Sequence, residues 1–137
     1  MSQENVEVVR RFFEGFDWYA PRTMNADDPL WETLDPNIEC FDHDILDAEN
    51  YMGREGFLRW LDFWDEPWEE WSMEAGRWID VGDRVVLLLG MTTRGRESGV
   101  EMTRHDGIVW TLRDGRVIRI DYYNSEAQAL EAMGLRE

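Results

Sequence analysis

The stretch VWTLRDGRVIRIDYY, Val109 to Tyr123, decides how this chain is read. Two β-like runs meet at Asp114-Gly115, a pair in which both residues tolerate positive φ, so the stretch predicts a tight hairpin. Alternation along it puts Ile108, Trp110, Leu112, Ile120 and Tyr122 on one face, with Asn124 at its end. That face carries a Trp and a Tyr, which line a pocket or simply fill a core.

Working outward, the runs before the hairpin also alternate. WEEWSMEAGRWID sets Trp71, Met73, Ala75 and Ile79 against Glu70, Ser72, Glu74 and Trp78. Gly82-Asp83 turns into RVVLLLGMTT, whose continuous apolar character predicts a central strand covered on both faces. After the hairpin, SEAQALEAMGL reads as a short helix capped by Ser125 and stopped at Gly134. The N-terminal SQENVEVVRRFFEGF is an amphipathic helix with Val6, Val9, Phe13 and Phe16 on one stripe. Asp28 before Pro29 caps a short helix ending before Pro36, and the strand NIECF follows. DHDILDAENYM reads as an irregular acidic loop. GREGFLRWLDFWDE is a second helix with Phe57, Leu58, Leu61 and Trp64 on its stripe and Trp60 at the edge. The order predicts one α+β domain over residues 1–137, with helices on one face of a bent antiparallel sheet.

Composition excludes several partners. Thirty acids against 14 bases give a net charge of -16, which repels nucleic acid and anionic membrane surfaces. A lone cysteine, Cys40, rules out an internal disulfide and suits a reducing, cytoplasmic setting; no leader or membrane segment is read. Eight Trp, six Phe and four Tyr are many for 137 residues and point to a roomy interior or an interface.

The segments NVEVVRRFFEGF, LDPNIECFD, MGREGFLRWLDFW and IVWTLRDGRVIRIDYYNSEAQALEAMGL together resemble the SnoaL-like (polyketide-cyclase-like) family of the nuclear transport factor 2-like superfamily. The resemblance covers nearly the whole chain and is weakest from Asp17 to Pro29, which looks longer than the usual connection. It implies a cone-shaped fold, with helices packed on a strongly curved antiparallel sheet enclosing an apolar cavity. It also implies homodimers formed through the outer sheet face. It does not settle function, because this fold hosts isomerases, cyclases, hydrolases and non-enzymes.

Family catalytic patterns do not carry over intact. In ketosteroid isomerase relatives the tyrosine on the first helix falls at Phe12, the base near Cys40 and the second acid near Ile108, so all three are missing. In limonene epoxide hydrolase relatives the Arg and first Asp fall near Leu89 and Met91. The second Asp falls in Asp121-Tyr122-Tyr123, where Tyr122 takes the inward position if the register differs by one residue. Two candidate bases remain. Asp42 lies two residues past Cys40 and faces the cavity if the strand continues; otherwise it is an exposed loop carboxylate. His105 has a side chain suited to acid/base work near neutral pH. It points inward only if Gly107 marks a bulge, and is otherwise a surface histidine.

The expected catalytic set is therefore Asp42, His105 and Tyr122. Phe12, Cys40, Trp60, Ile108, Trp110, Ile120 and Asn124 are expected to bind substrate. No metal or cofactor is expected: His43 among Asp42, Asp44, Asp47 and Glu49 lacks both the glycine and glutamate positions of a calcium loop and the ligand types of a zinc site. The chain thus reads as binding a small, largely apolar molecule. It is either a cofactor-independent acid/base enzyme or a non-catalytic binding or dimerising module.

Overall fold

Asp114 and Gly115 both adopt positive φ, 53° and 78°. They join β5 (Glu101–Arg113) to β6 (Arg116–Tyr123) as the turn chemistry requires. Ile108 lies opposite Tyr122 and Trp110 opposite Ile120 across this hairpin. The structure is a computed structural model that describes residues 2–43 and 51–135. The remaining elements are α1 (Ser2–Gly15), β1 (Leu34–Asp42), β2 (Tyr51–Met52), α2 (Gly53–Asp65), β3 (Trp68–Val81), β4 (Arg84–Gly95) and α3 (Glu126–Ala132), with 3-10 turns at Pro21–Thr23 and Pro29–Thr33.

Six strands form one sheet in the order β2-β1-β6-β5-β4-β3. It is mixed rather than wholly antiparallel, because β1 runs parallel to β6, with Cys40 beside Ile120 and Asp42 beside Tyr122. The first two helices and the third lie on opposite faces, where the sequence suggested one. On the inner face, Val9, Phe12, Phe13 and Phe16 meet Phe57, Trp60 and Leu61 over the sheet residues Leu87, Leu89, Ile108 and Trp110. On the outer face, Ala129 and Leu130 of α3 cover Val86, Leu88 and Val109. Both faces of β4 are thus buried, as its continuous apolar run requires. The α2 stripe is turned slightly from expectation: Trp60 is at its centre, while Leu58 and Trp64 are half-buried.

Local signals hold at the helix ends. The Ser125 side chain accepts from Gln128 N at 3.1 Å and Asp28 from Leu30 N at 2.9 Å. The segment after Asp28 is 3-10 rather than α. Tyr51 and Met52, read as loop, form the short strand β2 against Glu39 and Cys40. No helix among the described residues is long and apolar enough to cross a membrane.

Two glycines decide which side chains face inward. Ala75 pairs with Leu89 and Arg77 with Leu88, leaving Gly76 as a bulge. The extra residue reverses the alternation beyond it, so Trp78 joins the inner core and Ile79 the outer one. That is the reverse of the facing read from the sequence. Gly107, by contrast, sits in an unbroken ladder, paired with Leu88. A Cβ there would lie 2.4 Å from the Cβ of Ala129. Its glycine lets α3 approach the sheet; it makes no bulge.

Candidate functional site

Because the β4–β5 ladder is regular, the even-numbered residues of β5 face inward and His105 faces out. Its side chain is 71% exposed, with Nδ1 3.9 Å from the Glu126 carboxylate on the outer surface. This corrects the expectation of a cavity base at His105. The inward position beside it belongs to Asp106, which is fully buried.

Asp106 anchors a charged cluster at one end of the inner face. It accepts a short hydrogen bond from the Tyr122 hydroxyl. Arg104 Nε lies 3.1 Å from one of its oxygens and 3.0 Å from the other. The guanidinium also sits 5.9 Å above the Trp64 ring. Alternation puts Arg104 and Asp106 on the face of Ile108, and the register sets Ile108 against Tyr122, so the diagonal brings Tyr122 to Asp106. On its other side Tyr122 has Asp42, its neighbour on β1. Asp42 is buried, not exposed, and accepts from the Trp60 indole at 2.9 Å. Burial, and then the negative charge of Asp106, push the Tyr122 phenol well above its ordinary range. The Cys40 thiol is likewise pushed up, by burial first and by Asp121 second.

Next to this cluster is a narrow apolar pocket of about 30 Å³. Tyr122 and Ile120 of β6 and Ile108 and Trp110 of β5 form its floor. Trp60, Leu61 and Trp64 of α2, with Trp71, Met73 and Met91 of β3 and β4, form its sides. The remaining wall is Trp18, from the segment the sequence left unplaced. That segment folds back over the pocket. Asp17 Oδ1 accepts from Tyr19 N and Ala20 N, and the Trp18 indole donates to Phe13 O at 3.0 Å. The Tyr19 ring packs 4.9 Å from Trp71, and its hydroxyl accepts from Met73 N at 3.3 Å.

Of the expected binding residues, Trp60, Ile108, Trp110 and Ile120 line this pocket together with Tyr122. Phe12 lies behind it, its ring 6.1 Å from that of Trp110, and Cys40 is enclosed in the core. Asn124 is half-buried at the end of β6, outside the lining. Arg104 and Asp106 were missed, although plain alternation from Ile108 would have found them. Trp18 had no such signal. In the acidic loop, Asp44, Asp47 and Glu49 lie outside the described residues. His43 Nε2 lies 2.7 Å from Asp121, and its ring stacks on Tyr123.

Comparison with known proteins agrees with this architecture. A protein assigned as a SnoaL-like polyketide cyclase from Jannaschia sp. CCS1 superposes with a TM-score of 0.73 at 21% identity, covering 98% of this chain and 94% of its own. TerC, co-crystallised with polyporic acid, gives 0.70 at 18% identity, with 96% and 98% covered. A hypothetical protein of ketosteroid isomerase-like fold from Catenulispora acidiphila DSM 44928, in complex with trimethylamine, gives 0.65 at 18% identity, with 95% and 94% covered. At these identities the likeness is one of fold. No curated protein sequence matches closely enough to count as a relative. The SnoaL-like domain model matches residues 9–120, from within the first helix into the last strand, and the chain belongs to that family.

Proposed function

We propose that the protein binds one small, largely apolar molecule in the pocket between α2 and the inner sheet face, beneath Trp18. The observation that carries this reading is the wall itself. Five indoles, from α2, β3, β5 and the segment after α1, converge on one space with aliphatic and methionine side chains between them. Flat aromatic walls with few polar groups are the usual lining of a small-molecule site.

Binding without chemistry is better supported than acid/base catalysis. Tyr122 is the ionisable group on the lining, and its proton is committed to Asp106 while burial holds the phenol neutral. Asp42 is screened behind the Trp60 indole it accepts from, and His105 is on the far face.

The pocket now has room for about one water, so a ligand must displace the Trp18 side chain. Titration with acetylnaphthalene, followed by intrinsic tryptophan fluorescence and melting temperature, tests this. A saturable rise in melting temperature is expected, and tighter binding to Trp18→Ala, in which the space is already open. Absence of binding to both proteins rejects the reading.

A further inference from the structure

The segment that folds over the pocket is held together by its own bonds. Asp17 Oδ1 accepts from Tyr19 N and Ala20 N, and Asp17 N donates to Met24 Sδ at 3.5 Å. Ala20 O accepts from Thr23 N at 3.0 Å and from the Thr23 hydroxyl at 2.7 Å, and Pro21 O accepts from Met24 N at 3.2 Å. Residues 17–24 thus form a closed turn whose shape depends mainly on near neighbours. The Asp17–Met24 contact brings its two ends together, and both flanks are fixed. Phe16 before it is buried in the core, and the Asn25 carbonyl after it accepts from the Trp31 indole at 3.1 Å. Two aromatic side chains tie the turn across the pocket. Trp18 meets the rings of Phe12, Phe13, Phe16 and Phe57, and its indole donates to Phe13 O. Tyr19 is placed differently. It is 55% exposed and lies outside the pocket lining, yet its ring packs on Trp71 and its hydroxyl accepts from Met73 N. Met73 belongs to β3, the edge of the sheet, where this hydroxyl takes the place of a neighbouring strand.

We propose that residues 17–24 are a lid that opens as one body about the line joining Asp17 and Met24, and that Tyr19 is the latch that holds it shut. The inference rests on the pocket reading above and says how a ligand enters. Four rings bound the Trp18 side chain, so it leaves the pocket with its backbone rather than by turning between them. The bonds inside the turn survive that movement. What breaks is the Trp18 bond to Phe13 O and the Tyr19 contacts with Trp71 and Met73. Few contacts, one of them made by a side chain more than half exposed, are the mark of a local opening that needs far less free energy than unfolding. Tyr19 contributes little to the core, and its two contacts fasten the turn to the far side of the pocket. Removing them favours the open state without altering Trp18 or the pocket wall.

Hydrogen exchange in the free protein tests the motion, and stopped-flow binding of acetylnaphthalene tests its use. Both are measured on wild type, Tyr19→Phe and Tyr19→Ala. In Tyr19→Phe the Trp18 indole N–H is expected to exchange about fivefold faster, the effect of losing one hydrogen bond from the closed state. Tyr19→Ala, which also takes the ring from Trp71, should quicken it further. The Trp60 indole, bonded to Asp42, serves as the internal reference and should not change. A purely local role for Tyr19 would alter the Met73 amide alone. Acetylnaphthalene association should quicken by the same factor as the Trp18 exchange, because both depend on the open fraction. If only the Met73 amide responds, with the Trp18 indole and the association rate unchanged, the lid is overturned and the pocket reading stands. If acetylnaphthalene binds neither wild type nor Trp18→Ala, the pocket reading fails and the lid with it.

Discussion

The Tyr122 hydroxyl donates a hydrogen bond to Asp106, a carboxylate with no exposed surface that Arg104 also contacts. Buried charge of this kind persists only where partners and geometry compensate the loss of water. Tyr122→Phe removes one partner from Asp106 and leaves the ring packing in place. It is expected to lower unfolding free energy by about 2 kcal/mol, within the range for hydrogen bonds to charged groups, as read from urea unfolding with an unchanged slope.

Alkaline pH should expose the same arrangement. The Cys40 thiol, ordinarily 9.0, and the Tyr122 phenol, ordinarily 10.0, are both raised in the folded chain. The unfolded chain therefore releases these protons first. Stability is fully present below about pH 9, falls as pH rises through the thiol's ordinary value, and falls further above about pH 10. Relative to wild type, Cys40→Ala should flatten the earlier part of the decline and Tyr122→Phe the later part. Unfolding free energies measured across this range, with parallel slopes for all three proteins, would refute the assignment.

Trp60 links the pocket to the second buried carboxylate. Trp60→Phe keeps an aromatic ring near Phe57 and Tyr122 but takes the indole donor from Asp42. A loss of about 2–3 kcal/mol is expected, the usual range for removing a donor from a buried charged acceptor plus some lost volume. A change below about 0.5 kcal/mol would show that Asp42 does not depend on this bond.

His105→Ala is expected to do little. The ion pair with Glu126 is long and its imidazole largely exposed, so stability should stay within about 0.5 kcal/mol of wild type and ligand affinity should be unchanged. A large loss of binding or turnover would restore His105 to the site.

Gly107→Ala tests how α3 seats on the sheet. The added methyl would overlap the Ala129 Cβ, so the helix must move or the strand must bend. Destabilisation of about 1–3 kcal/mol is expected, together with faster amide exchange in α3. The double variant with Ala129→Gly should recover part of it, because the clash is between those two carbons.

Much of the architecture was legible because its causes are local. Positive φ at Asp114-Gly115, the Ser125 and Asp28 caps, and the alternation that turns Ile108, Trp110, Ile120 and Tyr122 inward each depend on a few neighbouring residues. Family resemblance added the sheet-and-helix arrangement, and the pocket floor followed from the last hairpin. The remainder was decided by contacts between distant segments. Whether Gly76 or Gly107 interrupts its strand depends on what packs opposite. An Ala129 against Gly107 and a bulge at Gly76 decide the facing of His105 and Trp78. Parallel pairing of β1 with β6 sets Asp42 beside Tyr122. Trp18 reaches the pocket only because its segment folds back to the Phe13 carbonyl and over Trp71. Turns and caps are governed by backbone torsions and near-neighbour hydrogen bonds, so sequence alone determines them. The cost of burying Asp106 and the lack of an acceptor for Trp110 exist only once the sheet has been assembled around them.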